Sequence, residues 1–184
     1  MSSVATALQI PTGTWNLDPA HTEVTFVARH AMVTKVRGVF RDVEGTITVA
    51  DDLAESSATA QMQTASVDTG SADRDAHLRA GDFFDSEVYP TMSFASTGVS
   101  DVSEEGFVLT GDLTIKDVTR PVQLNVEFGG VAQDPYGNLR AGFSARTQIE
   151  REDWGLNFNA KLETGGVLVS KKITIEIEVS AIKA

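Results

Sequence analysis

The feature that most constrains this chain is the alternation of apolar and polar residues over most of its length. Residues 173–180 alternate isoleucine or valine with threonine, glutamate or serine. This two-residue period gives a strand one apolar face and one polar face. Seven earlier segments show a comparable pattern: 24–30, 43–49, 58–63, 92–95, 107–115, 122–128 and 139–146. The alternation excludes a parallel α/β sheet, whose strands are apolar on both faces.

Short turn sequences separate many of these segments, at 50–52, 103–106, 116–121 and 134–138. Eight strands joined mostly by short turns predict an antiparallel meander that closes as a barrel or folds as a sandwich. Gly38, Gly45 and Gly111 fall on apolar strand faces, where a packed core would use a larger side chain. They either leave space inside a barrel or bend its strands at corners, and both readings favour a barrel.

Residues 66–90 depart from the strand pattern and predict a short helix. Ser71 is a suitable N-cap, and Asp73 and Asp75 follow in the first turn, where carboxylates complement the helix dipole. Gly81 is the predicted stop signal.

One face of this helix carries Arg74, His77 and Leu78, and two adjacent rings, Phe83 and Phe84, follow it. These apolar side chains need burial, and the mouth of a barrel is the nearest surface that could receive them. We therefore expect residues 71–85 to cap one end of the barrel and to gate ligand uptake. Arg74 either pins the local loop or, with His77, contacts a polar head group.

Composition excludes several classes of function. The 184 residues suit one domain and include no cysteine. The net charge of −11 argues against nucleic-acid binding and against electrostatic binding to anionic membranes. No apolar run approaches the roughly 20 residues of a membrane helix, so we expect no stable membrane insertion. The N-terminal sequence shows no signal peptide, which predicts a cytoplasmic protein.

Catalytic and metal-binding motifs are weak. The three histidines, His21, His30 and His77, form no closely spaced pair of the kind that zinc sites use. No pair of carboxylates stands out, and no nucleophile elbow, phosphate loop or dinucleotide fingerprint occurs. The sequence therefore predicts no catalytic residue, no metal and no cofactor.

Several motifs resemble the YceI family of lipid-binding proteins. They are residues 15–26, 36–40, 74–90, 111–115 and 118–122, in order and with matching spacing between about Trp15 and Ala181. The resemblance implies an all-β, lipocalin-like, eight-stranded antiparallel barrel with a short helical insertion capping one end. Residues 1–13 are then an N-terminal extension and 14–184 a single barrel domain. Two departures are the missing secretory signal and Asp117, which replaces a glycine common in that turn.

The family is associated with long isoprenoid or other amphiphilic chains bound in the apolar tunnel, often by a homodimer. We therefore expect a non-catalytic carrier or sequestering protein for such a lipid. An enzyme or stress-response module that uses His30 and His77 is one alternative, and a barrel with a filled core is another. The predicted ligand-binding residues are Phe26, His30, Met62, His77, Leu78, Phe83, Phe84, Phe94, Leu109, Leu113, Phe143, Ile175 and Ile177.

Overall fold

A computed structural model describes residues 8–160, 162, 166 and 168–184 of the chain. An α-helix, α1, spans Ala72–Arg79, and short 3-10 helices span Pro19–His21, Leu53–Glu55, Thr64–Ser66 and Arg151–Trp154. No helix of the described part is long and apolar enough to cross a membrane. The strands are β1 Gly13–Leu17, β2 Glu23–His30, β3 Thr34–Phe40, β4 Val43–Val49, β5 Ser57–Gln63, β6 Val67–Asp68, β7 Thr91–Ser100, β8 Gly106–Ile115, β9 Val118–Gln133, β10 Leu139–Glu150 and β11 Lys172–Lys183.

These strands form one closed antiparallel sheet. From β7 to β11 each strand pairs with the next in sequence, and β11 closes the barrel by pairing with both β1 and β2. The β1–β4 ladder and the β2–β3 ladder together form one longer interface between two barrel strands. The β4–β5 and β3–β6 ladders form the next such interface. Three of the eight barrel strands are therefore composite: β1 with β2, β3 with β4, and β5 with β6. The predicted eight-stranded antiparallel barrel with one helix is confirmed.

The three interruptions lie side by side, at residues 18–22, 41–42 and 64–66. At the first, Asp18 caps the 3-10 turn by accepting a hydrogen bond from the Ala20 amide at 3.0 Å. At the other two, the Ser66 hydroxyl accepts from the Asp42 amide at 3.1 Å. These breaks leave β1 with five residues and β6 with two, and the apolar face of β3 includes Gly38, so the sequence pattern did not predict these three strands.

Two local predictions differ from the structure. The turn predicted over residues 116–121 contains only Lys116 and Asp117, which have φ angles of 51° and 60°, and β9 starts at Val118. Aspartate tolerates this left-handed conformation, so the turn stays tight without the glycine. The helix begins after the Ser71 N-cap as predicted, but its C-cap is Ala80 rather than Gly81.

Apolar side chains gather into two clusters, one towards each end of the barrel. The cluster at the N-terminal end includes Leu8, Ile10, Trp15 and Leu53. Leu8 and Ile10 are buried, so the described part of the proposed N-terminal extension packs into the core; residues 1–7 lie outside the described residues. The cluster at the helix end includes Phe40, Val67, Phe83, Trp154 and Leu156.

Candidate functional site

A cavity of about 610 Å³ runs between the two clusters inside the barrel. Its wall is almost entirely aliphatic and aromatic. The structure places every residue of the predicted ligand-binding set on this wall: Phe26, His30, Met62, His77, Leu78, Phe83, Phe84, Phe94, Leu109, Leu113, Phe143, Ile175 and Ile177. The apolar phase of each strand therefore faces the lumen, as the two-residue period requires. That these residues bind a ligand stays a prediction.

Two glycines allow phenylalanine rings to lie against the barrel wall. A Cβ on Gly38 would come within 2.2 Å of the Phe26 ring, and one on Gly111 within 2.3 Å of the Phe94 ring. Each ring thus occupies the space that a side chain on the neighbouring strand would fill. Gly45 is different, because its Cβ would meet the Thr59 carbonyl oxygen at 2.4 Å. The glycines serve close packing of rings and backbone, and those rings keep to the wall rather than crossing the lumen.

Helix α1 is fastened to the chain segment that precedes it, residues 65–69. Asp75 is buried, and its carboxylate accepts hydrogen bonds from the Thr69 amide at 2.8 Å and the Thr69 hydroxyl at 2.6 Å. Arg74 donates to the Thr69 hydroxyl and carbonyl, each at 2.7 Å. Arg79 donates to the Ala65 carbonyl at 2.9 Å. Arg74 therefore has the loop-pinning role, and Thr69 is the shared partner of Arg74 and Asp75.

Aromatic contacts join the helical segment to the barrel. Phe84 packs edge-on against Phe40 with 5.5 Å between ring centroids, and Phe40 in turn contacts Phe26 at 5.7 Å. The ring of His77 packs edge-on against Phe83 at 5.1 Å and against Phe158 at 4.7 Å. The helical insertion thus covers the cavity with aromatic side chains.

His77 and His21 each face a carboxylate of their own neighbourhood. The His77 Nε2 atom lies 3.0 Å from Asp82, in a contact exposed to solvent. The Nδ1 atom of His21 lies 2.7 Å from Asp18. His30 is exposed at the end of β2, where it forms an isolated bridge with Val169. Within the described residues no three or more metal-binding side chains converge.

The charged side chains on the described lining all lie at the helix end. They are Arg29, Asp73, Arg74 and Arg151. Arg151 is buried and donates to the carbonyl oxygens of Leu156 at 2.6 Å and Ser170 at 2.9 Å, and its burial lowers the pKa of the guanidinium. It thereby holds Leu156 and Ser170 together beside the cavity. At the N-terminal end the polar lining consists of hydroxyl groups, of Ser56, Ser57 and Thr59.

Sequence reasoning missed part of the wall. Phe40, Leu156, Phe158 and Leu168 line the cavity. Phe40 belongs to a composite strand whose alternation is brief, although its position two residues after Gly38 on the same face could have revealed it. Residues 156–168 form no strand or helix in the described part, so no periodicity marks them.

Asp18, between β1 and β2, belongs to an ion-pair network that is not part of the cavity wall. Arg140 donates to Asp18 at 2.7 Å and to Asp134 at 2.8 Å. The hydrogen bond from Arg140, followed by that from His21, lowers the pKa of Asp18 to about 2. Arg140 likewise lowers the pKa of Asp134 to about 2. Asp18 lies between β1 and β2, and Arg140 lies on β10. The Asp18–Arg140 ion pair therefore holds the junction of β1 and β2 against β10.

Comparison with known proteins agrees with this architecture. The profile of the YceI-like domain family matches residues 15–181. A UPF0312 protein of Staphylococcus epidermidis is 39% identical over 167 residues, which cover 88% of this chain and 93% of that protein.

Two solved structures have a fold similar to that of this chain. The YceI protein of Campylobacter jejuni superposes with a TM-score of 0.72 at 30% identity, over 85% of this chain and 90% of that one. A polyisoprenoid binding domain from Saccharophagus degradans superposes with a TM-score of 0.65 over 95% of this chain and 100% of that one. Its 16% identity supports a likeness of fold alone.

Proposed function

Because this chain belongs to the YceI-like domain family, we propose that it binds one long apolar or amphiphilic lipid inside the barrel and carries or sequesters it without chemistry. The observation that carries the proposal is the cavity of about 610 Å³ with an apolar wall. Small-molecule sites commonly have volumes of about 300–1,000 Å³. A polyisoprenoid or similar chain suits this cavity, and the domain from Saccharophagus degradans with the same fold is described as binding polyisoprenoids.

Apolar burial alone supplies enough affinity for such a ligand. Each buried methylene contributes about 0.8 kcal/mol, so a five-carbon isoprene unit supplies about 4 kcal/mol before costs. Ordering a flexible tail reduces the net gain towards about 0.3 kcal/mol per heavy atom. Several units still give tight binding without any charged contact. The wall therefore selects for a long apolar tail more strongly than for a particular head group.

The distribution of polar groups supports one orientation of the ligand. Charged lining residues such as Arg74 and Arg151 lie at the helix end, and the interior wall around Leu109 and Phe143 is apolar. A charge placed among apolar side chains would lose its hydration without compensation. We expect the polar head to lie at the helix end, beside α1, and the tail to extend towards the N-terminal end.

The alternative of an enzyme that uses His30 and His77 has less support. His77 packs against Phe83 and Phe158 on the cavity wall, and its Nε2 atom faces Asp82, which is not on that wall. This arrangement suits a structural or head-group role better than proton transfer to a buried tail. The cytoplasmic location and the homodimer stay predictions, to be checked by fractionation and by light scattering.

The direct test is mass spectrometry of organic extracts from the protein purified without added lipid. We expect about one long-chain lipid per chain. Leu109→Glu should abolish co-purification of the lipid, because it places a charge on the cavity wall. The control is Val108→Glu at the preceding residue of β8, which is not on that wall, and this variant should retain the lipid. Leu109→Trp provides an apolar change that fills the lumen if the glutamate variant unfolds.

Two results would overturn the proposal. Full lipid occupancy in folded Leu109→Glu and Leu109→Trp would exclude the lumen as the site. Lipid-free protein from several expression hosts, together with no uptake of added polyisoprenoid, would identify a barrel whose interior serves stability alone.

A further inference from the structure

The hairpin formed by β2 and β3 continues beyond its ladders with β11 and β6 at the helix end. The β2 ladder with β11 ends at Val27, and the β3 ladder with β6 ends at Val39. Beyond these points β2 and β3 continue to pair with each other as far as His30 and Thr34. On its other edge β2 is joined to residues 168–170, since the Ala31 amide donates to the Leu168 carbonyl at 2.7 Å and the Ser170 amide to the Arg29 carbonyl at 3.0 Å. The outer edge of β3 before Val39 pairs with no strand among the described residues. The turn at residues 31–33 is therefore the tip of a ribbon with one open edge, beside the mouth of the cavity.

This tip displays apolar side chains to solvent at a cost in backbone conformation. Met32 is 54% exposed and Val33 is 75% exposed. Ala31 and Met32 both have positive φ angles, of 52° and 66°. Hairpin turns with this backbone usually place asparagine or glycine there, because other residues are strained. The chain instead keeps a large apolar side chain at a position where a smaller residue would be more stable.

The ribbon is also basic in a strongly acidic chain. Residues 29–37 contain Arg29, Lys35 and Arg37 and no carboxylate, although the whole chain has 15 basic and 26 acidic residues. Arg37 is 3.3 Å from Glu176, a partner on β11. Arg29 and Lys35 are exposed, and among the described residues no carboxylate lies within ion-pair distance of either.

We propose that this ribbon, residues 29–37, docks the protein on an anionic lipid bilayer. Met32 and Val33 enter the boundary between head groups and acyl chains, and Arg29 and Lys35 lie among the anionic head groups. Exposed apolar residues flanked by basic ones are the combination that interfacial binding requires. The net charge of −11 does not prevent this, because charges more than about 8 Å away are largely screened at physiological ionic strength.

The acidic residues of the same barrel end set the orientation. Asp82, Asp85 and Glu87 follow α1 on another side of the mouth, where Val88 is also exposed. An anionic surface repels that side and attracts the ribbon. The protein therefore docks tilted, with the ribbon towards the membrane and the residues after α1 away from it.

A second copy of this chain fits the ribbon less well than a bilayer does. In a twofold dimer the same patch meets itself, which would place Arg29 and Lys35 of both copies together. Two exposed side chains also contribute far less than the roughly 1,200–2,000 Å² that stable interfaces bury. A bilayer needs neither self-complementarity nor a large dry interface.

Vesicle flotation tests the proposal at physiological salt, with phosphatidylcholine vesicles with and without 30% phosphatidylglycerol. We expect binding to the anionic vesicles only. Lys35→Glu should weaken binding at least about fivefold, which is the attraction that one basic residue supplies near such a surface. Met32→Ser with Val33→Ser should weaken it by a similar or larger factor.

Matched controls are Val88→Ser at the acidic side of the helix end and Tyr136→Ser in the β9–β10 turn, since both side chains are exposed to a comparable degree. Both should bind as the unchanged protein does. Equal binding by the ribbon variants, or no binding of the unchanged protein, would overturn the proposal. A change in oligomeric state of the ribbon variants would do so as well, in favour of a second copy. Lipid occupancy of the cavity is measured separately and should not change, so this test can fail while the proposed lipid binding holds.

Discussion

The two ends of the barrel are closed by different means. At the N-terminal end, the chain before β1 supplies Leu8 and Ile10, and Trp15 and Leu53 complete the same core cluster. At the helix end, closure comes from residues 69–90 between β6 and β7 and from residues 151–160 and 168–170 after β10. The first end is an extension of the barrel core, whereas the second is built from insertions fastened by hydrogen bonds.

The difference bears on where a ligand exchanges. The N-terminal end depends on apolar packing that is continuous with the barrel wall, so opening it would disturb the core. The helix end joins the barrel through local hydrogen bonds to Thr69 and Ala65 and through a few aromatic contacts. Segments with fewer buried contacts open at lower free energy than the core. We therefore expect ligand exchange at the helix end.

The largest effect is expected from removing the aromatic cover of the helix end. Phe83→Ala with Phe84→Ala should speed release of a fluorescent isoprenoid analogue at least about tenfold, since a barrier lower by about 1.4 kcal/mol suffices. Stability should fall too, because each packed ring lost costs about 3–5 kcal/mol. Stopped-flow release and thermal melting measure the two effects separately.

The matched control removes apolar side chains from the other end. Leu8→Ala with Ile10→Ala should lower stability by about 2–5 kcal/mol per residue and leave the release rate unchanged. Equal acceleration in both double variants would mean that global stability, and not the helix end, governs release. The single variants Phe83→Ala and Phe84→Ala keep the comparison available if the double variant unfolds.

The long barrel strands could be predicted from sequence, because a two-residue period of apolar residues places all of them on one face of a strand. Once alternation assigns the apolar face of β8 or β10, the position of Leu109 or Phe143 on the cavity wall follows. Alternation predicted only one half of each composite strand, namely β2, β4 and β5, because each break interrupts the two-residue period. The Asp18–Arg140 pair joins residues far apart in sequence, and no local pattern indicates such a contact.

The glycines show a different limit. Sequence placed Gly38 and Gly111 on apolar faces but left open whether they make space or bend a strand. The structure answers through contacts with Phe26 and Phe94, which are not adjacent in sequence. Likewise Phe158 lies on the wall without any periodic signal, because residues 156–160 have no regular secondary structure.

A second, smaller effect should distinguish positions along the cavity. Gly38→Ala pushes the Phe26 ring off the wall near the helix end, and Gly111→Ala does the same to Phe94, which packs against both core clusters. Each change should cost about 1–3 kcal/mol by overpacking. We expect Gly38→Ala to slow exchange and Gly111→Ala to shift binding towards shorter chains. Gly98→Ala is a control for loss of a glycine, because a Cβ there meets no atom within 4 Å and the backbone is not left-handed.

The smallest effect concerns the polar network on the outside of the barrel. Arg140 lowers the pKa values of Asp18 and Asp134 to about 2, from an ordinary value of 3.8. A carboxyl group whose pKa is lowered on folding stabilises the folded state above its unfolded pKa and loses that contribution as pH falls. The stabilisation should therefore be complete above about pH 4 and be lost between about pH 4 and pH 2.

Arg140→Met tests this contribution. It should lower Tm by about 2–4 °C at pH 7, because the network is partly exposed, and the difference from the unchanged protein should disappear near pH 2. Arg146→Met removes the same charge from an exposed position on the same strand and should show no such pH dependence. Because the network holds the junction of β1 and β2 rather than the mouth, lipid release should stay at its original rate. Faster release in Arg140→Met at pH 7 would show that this junction also controls exchange, against the assignment of exchange to the helix end.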